Sequence, residues 1–578
     1  MIALTAFLFF LLQSSKGSIE GAVVNSATNK PIAGAQVQAT RMPGGMGTTG
    51  TVPTALVGGV ITAAPPAGTI VRQGEGAAPA QIPPATTDAN GHFVFSDLEP
   101  GTYFLRAFAD GYARQEFNPR PGGMNSMTAQ VTLAAGTVLK DTVFRLVPGG
   151  TVSGRVTGSG GEPLVNLEVT VLRNGYDPDG RKRLQQVGAA QTNDLGEYRL
   201  FWITPGRYYL SVAPSNRPMP GIAFFPGTSS NKYPRTFYPG VSDVSAAVLV
   251  DIQAAAELSG MDFRLVEQPT YRVRGRIVDS TTGQAPRGVS IGIVPRDPIG
   301  NAGMSMFSTP YNAADGSFEL RDIPSGEYII RAQLQFNGRF EPGQPRPIPP
   351  IATASVDVRG GDVDGVVVAF EPPVSVSGRI TVDGKALPAG MRANVSLRPF
   401  VLNSPIGLPP RQPQWNPDGS FRIDQVPPGE YRVDACCVGG QNIYVKEIRL
   451  GSVDLSSHPL VVSGPIADSL EVVFGEGAGE ISGTVRADSQ KTPAKVSVVL
   501  IPDQRERRDL YKFTMSDAAG HFIFRTVAPG SYKVFAWADI EQNSWFDRDV
   551  LRNYEQSGTP AKVSDSGNTT LDVNLITK

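Results

Sequence analysis

The sequence predicts an all-β chain of five tandem antiparallel β-sandwich domains. Three observations carry that expectation: a glycine–aromatic–glycine–tyrosine signature, an alternating strand that restarts before each copy of it, and no segment with the period of an amphipathic helix. The signature is Gly91, Phe93, Gly101 and Tyr103, then Gly196, Tyr198, Gly206 and Tyr208. It returns at Gly316, Phe318, Gly326 and Tyr328, at Gly419, Phe421, Gly429 and Tyr431, and at Gly520, Phe522, Gly530 and Tyr532. Its first glycines are 105, 120, 103 and 101 residues apart, so the 578 residues divide into domains of ordinary size.

Each unit opens on an alternating strand with a central glycine: Ile19 to Val23, Val152 to Val156, Val273 to Ile277, Val376 to Ile380 and Ile481 to Val485. Alternation of apolar and polar residues marks a half-buried strand. A second strand follows, seen in Lys30 to Val37, and then an Asp/Asn turn such as Asp88-Ala-Asn90-Gly91, whose glycine accepts positive φ. Phe93 and Phe95 share one face of the next strand, and Tyr103, Leu105 and Ala107 line the strand after it. Each unit closes on an apolar strand, from Val143–Leu146 in the first to Leu571–Leu575 in the last. Short strands with turns every eight to twelve residues form a sandwich. The expected domains are 17–149, 150–268, 269–373, 374–476 and 477–578. The first carries an extra Gly/Pro-rich, nearly uncharged stretch near 41–85, which has little to bury and is expected to be a loop.

The chain begins with an apolar run of eleven residues, Ile2 to Leu12, followed by a polar segment. That length suits a signal peptide over 1–16 and is too short to span a bilayer. The expectation is an exported protein (extracellular, cell-surface or periplasmic) with no transmembrane helix in the mature chain. With 52 basic and 53 acidic residues, net charge is −1, which excludes a global electrostatic footprint for nucleic acid and argues against a polyanion as main partner. Two cysteines, Cys436 and Cys437, rule out a disulfide framework. As neighbours on one strand they face opposite ways.

The opening-strand glycine, Lys30-Pro-Ile-Ala-Gly34-Ala, Asp88-x-x-Gly91-x-Phe93 and Leu98-x-Pro100-Gly101-x-Tyr103 together resemble the carboxypeptidase regulatory-like domain. The resemblance implies an Ig-like, prealbumin-like sandwich, close to carbohydrate-binding-like folds and to bacterial surface stalk domains. It covers nearly the whole chain after residue 16 and does not imply peptidase activity. Such an enzyme needs histidine and carboxylate ligands, whereas the chain holds only His92, His458 and His521, none opening a His-x-x-Glu. Stalk domains of this kind carry a glutamate four residues after the tyrosine, to promote an isopeptide bond. Here that slot holds Ala107, Val212, Ala332, Ala435 and Ala536. Gly288-Val-Ser290-Ile-Gly292 matches a nucleophile elbow but lies on an expected strand with no helix after it. No catalytic residue, metal site or cofactor is expected.

Two classes of function remain: binding of an extracellular glycan or surface protein through loops at the sandwich ends, and service as a structural stalk or spacer. A role as accessory subunit of a secreted enzyme or transport system is more distant. Aromatic residues beyond the needs of a core separate them. Repeat two has Phe224, Phe225, Tyr233, Phe237 and Tyr238 with Arg235. Repeat five has Phe535 and Trp537 facing away from the core strand alternation, then Trp545, Phe546 and Tyr554 with Arg548 and Arg552. Flat rings suit stacking on sugars and guanidinium groups suit hydroxyls or carboxylates, so these thirteen residues are the candidate ligand contacts.

Overall fold

The computed structural model describes residues 16–41, 82–117, 130–214, 232–296, 311–335, 349–388, 392–399, 413–416, 418–438, 442–487, 496–517 and 519–577. The expected signal peptide and most of the 41–85 loop lie outside them, and so do Phe224 and Phe225. The chain forms two compact units. One holds 1–173, 186–215 and 233–267, and the other holds 174–185, 216–232 and 268–578.

The first unit contains two sandwiches. In repeat one the opening strand Gly17–Asn25 lies between His92–Leu98, antiparallel to it, and the closing strand Val138–Leu146, parallel to it. The facing sheet centres on Gly101–Phe108, which pairs with Gln36–Arg41. Repeat two repeats this plan with Gly150–Thr157 beside Glu197–Ile203, and Gly206–Pro214 beside Leu167–Tyr176. Its closing strand is broken into two short parallel contacts, Glu257–Leu258 and Phe263–Arg264.

The second unit contains the other three. Thr270–Asp279, Val374–Val382 and Gly479–Arg486 are their opening strands, each paired antiparallel on one side and parallel on the other. Every sandwich thus pairs its first and last strands in parallel and its other strands antiparallel, and repeat five adds a short second parallel contact, Ala536 and Trp537 beside Leu575 and Ile576. The expected alternation places the core well: Ile19, Val23, Phe93, Phe95, Tyr103, Leu105 and Ala107 are all buried in one cluster. Equivalent clusters fill the other four repeats. Ser290 lies within the strand Val289–Pro295, with its hydroxyl on the Gln333 carbonyl at 3.3 Å, which is a structural role and not an exposed nucleophile.

Two local constraints explain the signature. The turn glycines Gly91, Gly196, Gly316, Gly419 and Gly520 have φ between 73° and 84°, a left-handed conformation that a side chain strains. The opening-strand glycine has a different reason. A Cβ on Gly483 would stand 1.8 Å from the Leu571 carbonyl oxygen and 2.9 Å from the Phe522 ring. At Gly21 the same atoms come from Thr142 (1.9 Å) and Phe93 (2.8 Å), and at Gly275 from Val366 (2.1 Å) and Phe318 (2.7 Å). The signature aromatic therefore lies on the opening-strand glycine, and the closing strand passes beside it.

The signature tyrosine ties its own turn. Its hydroxyl donates to the carbonyl four residues upstream: Tyr208 to Thr204 at 2.7 Å, Tyr328 to Pro324 at 3.1 Å, Tyr431 to Pro427 at 2.7 Å and Tyr532 to Ala528 at 2.8 Å. Tyr103 makes the same bond to Glu99. This is the tyrosine corner of Greek-key sandwiches. Burial raises the pKa of the Tyr103, Tyr208, Tyr328 and Tyr532 phenols, which stay protonated donors at neutral pH.

Gly483→Ala is expected to destabilise repeat five by about 2–3 kcal/mol, because the obstructing atom is backbone and cannot rotate away. Tyr532→Phe should cost about 1–2 kcal/mol through the unpaired Ala528 carbonyl. Urea unfolding of the two variants measures both.

Candidate functional site

The described rings of repeat two, Tyr233, Phe237 and Tyr238, are packed into the fold. Tyr233 is buried, and its hydroxyl donates to Glu267 at 3.3 Å. Phe237 is buried in a two-residue strand beside Ser211. Tyr238 packs edge-on against Phe263, with ring centroids 5.9 Å apart. Arg235 donates to the Ser211 hydroxyl at 2.8 Å, and burial pulls its pKa down. These four were expected to face a ligand. In the structure Tyr233 and Tyr238 join the core of the repeat, Phe237 is buried outside that cluster, and Arg235 ties the polar side chains Thr170 and Ser211 of two adjacent strands.

In repeat five the alternation is as expected, but the far face is not open. Tyr532, Val534 and Ala536 point into the sandwich, while Phe535 and Trp537 point the other way into a second core. The segment after Trp537 folds back over them as a 3-10 turn, Ser544–Phe546, and a single helical turn, Arg548–Arg552. Phe535 and Trp537 stack at 5.0 Å and 4°, Trp545 stacks on Phe513 at 5.4 Å and 12°, and Tyr554 meets Trp537 edge-on at 5.7 Å. Trp545 is 4% exposed and Phe535 not at all, so neither offers a face to a sugar. Burying this much aromatic surface is favourable.

What remains at the surface forms a cleft of about 730 Å³ in the second unit, where repeat four meets repeat five. The Asp547 carboxylate caps the helical turn by accepting from the Asp549 amide at 2.9 Å. Arg548 and Arg552, four residues apart, lie on one side of this turn and line the cleft together with the buried Leu551 between them in sequence. Arg505, Arg508, Tyr511 and Phe546 join them from repeat five, and Arg432, Ser456, Ser457 and His458 from repeat four. Five arginines face two glutamates, Glu506 and Glu555, so the lining is net positive.

Several of these cations are already oriented. Arg505 reaches Glu555 at 3.0 Å, Arg548 reaches Glu506 at 2.8 Å, and the Arg508 guanidinium lies 4.8 Å from the centre of the Phe546 ring. Burial pushes the Arg432 pKa down and Asp179 opposes the shift, while the neighbouring Arg398 and Arg508 add to it. Such a cleft can hold a carboxylate, sulfate or phosphate against guanidinium forks, with an apolar ring plane beside it.

Of the thirteen residues singled out in the sequence, the structure brings Phe546, Arg548 and Arg552 to this cleft. It buries Tyr233, Phe237, Phe535, Trp537 and Trp545, and holds Arg235, Tyr238 and Tyr554 partly buried against neighbours. Arg432, Arg505, Arg508 and His458 were missed. The run Arg505-Glu-Arg507-Arg508 was a visible sign, masked by the balanced overall charge. Among the described residues, no group of three or more His, Cys, Asp or Glu side chains could hold a metal ion. No described helix is long and apolar enough to cross a membrane.

Comparison with known proteins matches residues 479–545 to the second β-sandwich domain of the NOMO1-like subunit of the BOS complex. No curated protein matches the chain. Among solved structures, the chain is similar to the TIE protein of Bacillus anthracis at 10% identity, covering 71% of this chain and 68% of that one, with a TM-score of 0.15. It is similar to GBS52, the minor pilin of Streptococcus agalactiae, at 12% identity over 44% and 97% of the two chains, with a TM-score of 0.19. It is also similar to BcpA, the major pilin subunit of Bacillus cereus, at 11% identity over 74% and 99%, with a TM-score of 0.13. The chain is a tandem β-sandwich protein.

Trp545→Ala is expected to lower the stability of repeat five by about 3–5 kcal/mol, the range for truncating a buried ring. Differential scanning calorimetry checks this; a Trp545→Ala protein melting with the wild type would show the ring to be exposed.

Proposed function

We propose that this chain is an exported, non-catalytic binding protein that takes an acidic extracellular glycan in the cleft of repeats four and five. Its five repeats have the boundaries read from the signature spacing, and it is an array of carboxypeptidase regulatory-like domains. The observation that carries the reading is the arginine-lined cleft walled by Phe546 and Tyr511. A uronate carboxylate or sulfate pairs with guanidinium groups, while the apolar face of the sugar ring stacks on an aromatic. The reading places the ligand at a seam between repeats and not at the isolated ends of sandwiches. It also locates positive charge that the balanced composition concealed.

The second reading is a stalk or spacer. It is favoured by the burial of Phe535, Trp537 and Trp545, which makes repeat five more rigid without offering a ligand surface.

Titration calorimetry with tetragalacturonic acid and with a heparin-derived tetrasaccharide separates the two. Binding of either, weakened about ten-fold or more by Arg548→Ala with Arg552→Ala, is the expected result, since each lost charge-assisted contact is worth about 1.5–3 kcal/mol. The melting temperature should hardly move, because both side chains are largely exposed, 75% and 78%. Affinity should also fall as salt is raised. Absence of binding to both oligosaccharides would leave the spacer reading in place.

A further inference from the structure

The cleft arginines already have an acidic occupant from the chain itself. The second unit includes the hairpin tip 174–185, which comes from repeat two in sequence. Its turn is shaped by Asp177, whose carboxylate accepts from the Asp179 amide at 2.8 Å and the Arg181 amide at 2.9 Å. Gly180 follows at φ 71°, and a Cβ there would stand 2.3 Å from the Phe546 Cβ. The tip therefore rests directly on the Cβ and backbone of Phe546, the residue whose ring walls the cleft.

Asp179 is only 7% exposed. Its carboxylate lies 3.3 Å from Arg432 and 3.9 Å from Arg398, and its carbonyl accepts from Arg508. Lys182 reaches Asp547 at 3.5 Å. Arg432 and Arg508 are also lining groups of the cleft. The buried carboxylate thus sits between two guanidinium groups, Arg432 and Arg398, while the main-chain carbonyl of the same residue engages a third, Arg508; an anionic ligand would need Arg432 and Arg508. Guanidinium groups engaged by an internal carboxylate are withheld from an external one.

We propose that the tip Asp177–Gly180 is a built-in anionic competitor that holds Arg432 and Arg508 until an acidic ligand displaces it. This rests on the glycan reading above for the ligand, and it adds regulation of the same site. Competition lowers apparent affinity by the fraction of molecules with the tip released. Neutralising Asp179 raises that fraction.

The test uses the full chain. Asp179→Asn should bind tetragalacturonic acid about five- to ten-fold more tightly than the wild type, in proportion to the population released. In the wild type, citrate should raise hydrogen exchange at residues 176–182, while sodium chloride of equal ionic strength should not. Citrate probes displacement without depending on a glycan or on the folding of a variant. Unchanged or weaker binding by Asp179→Asn would overturn the competitor while leaving the glycan reading standing, and so would exchange at the tip that ignores citrate. An exchange response to citrate with binding of neither tetragalacturonic acid nor the heparin-derived tetrasaccharide would overturn the glycan reading and keep the competitor.

Discussion

Each sandwich depends on a single close approach, that of the closing strand's backbone to the opening-strand glycine. A carbonyl oxygen lies 1.8–2.5 Å from where a Cβ would be at Gly21, Gly154, Gly275, Gly378 and Gly483. No other residue leaves that space. Because the strands can meet there, the first and last strands of the repeat pair in parallel, and the ends of a 100-residue stretch become neighbours. At four of the five positions the signature aromatic fills the volume over the glycine. Repeat two departs from this: Tyr198 replaces phenylalanine and donates to the Met261 carbonyl at 2.5 Å, beside a closing strand that is broken. The tyrosine corner then fixes the next turn, so the two sheets are joined by local interactions repeated in every copy.

Repeat five is the place where the shared plan is extended. Its tyrosine strand carries large apolar residues on both faces, so the face that is polar in an ordinary half-buried strand must be covered. The segment 538–558 covers it, and the helical turn that does so points Arg548 and Arg552 outward. The same packing that removes Trp545 from solvent therefore places the cations of the cleft. Stability and the candidate site share residues there: Phe546 packs on the second core, stands 4.8 Å from the Arg508 guanidinium and carries the hairpin tip.

The charge of the chain illustrates the difference between composition and placement. A net charge of −1 gives no long-range field, yet five arginines converge on one cleft and three on one aspartate. Most of the exposed ion pairs elsewhere, such as Arg379–Asp418 at 3.2 Å, contribute little to stability. Those around Asp179 differ because burial weakens the screening by solvent and leaves each guanidinium dependent on a carboxylate nearby.

The sequence by itself determined the all-β class, the fivefold repeat, the strands that face each core and the residues of the corner turns. These follow from local rules: period-two alternation, glycine at positive φ and a fixed turn length. It also separated the two faces of the strand bearing Phe535 and Trp537. Only the tertiary structure decided that the second face is covered, because burial depends on which distant segment returns over a strand. For the same reason it alone assembled the cleft, whose arginines stand at 432, 505, 508, 548 and 552, and brought Asp179 to them from more than 200 residues away. Side-chain period reports direction, and contact between remote segments is set by the fold.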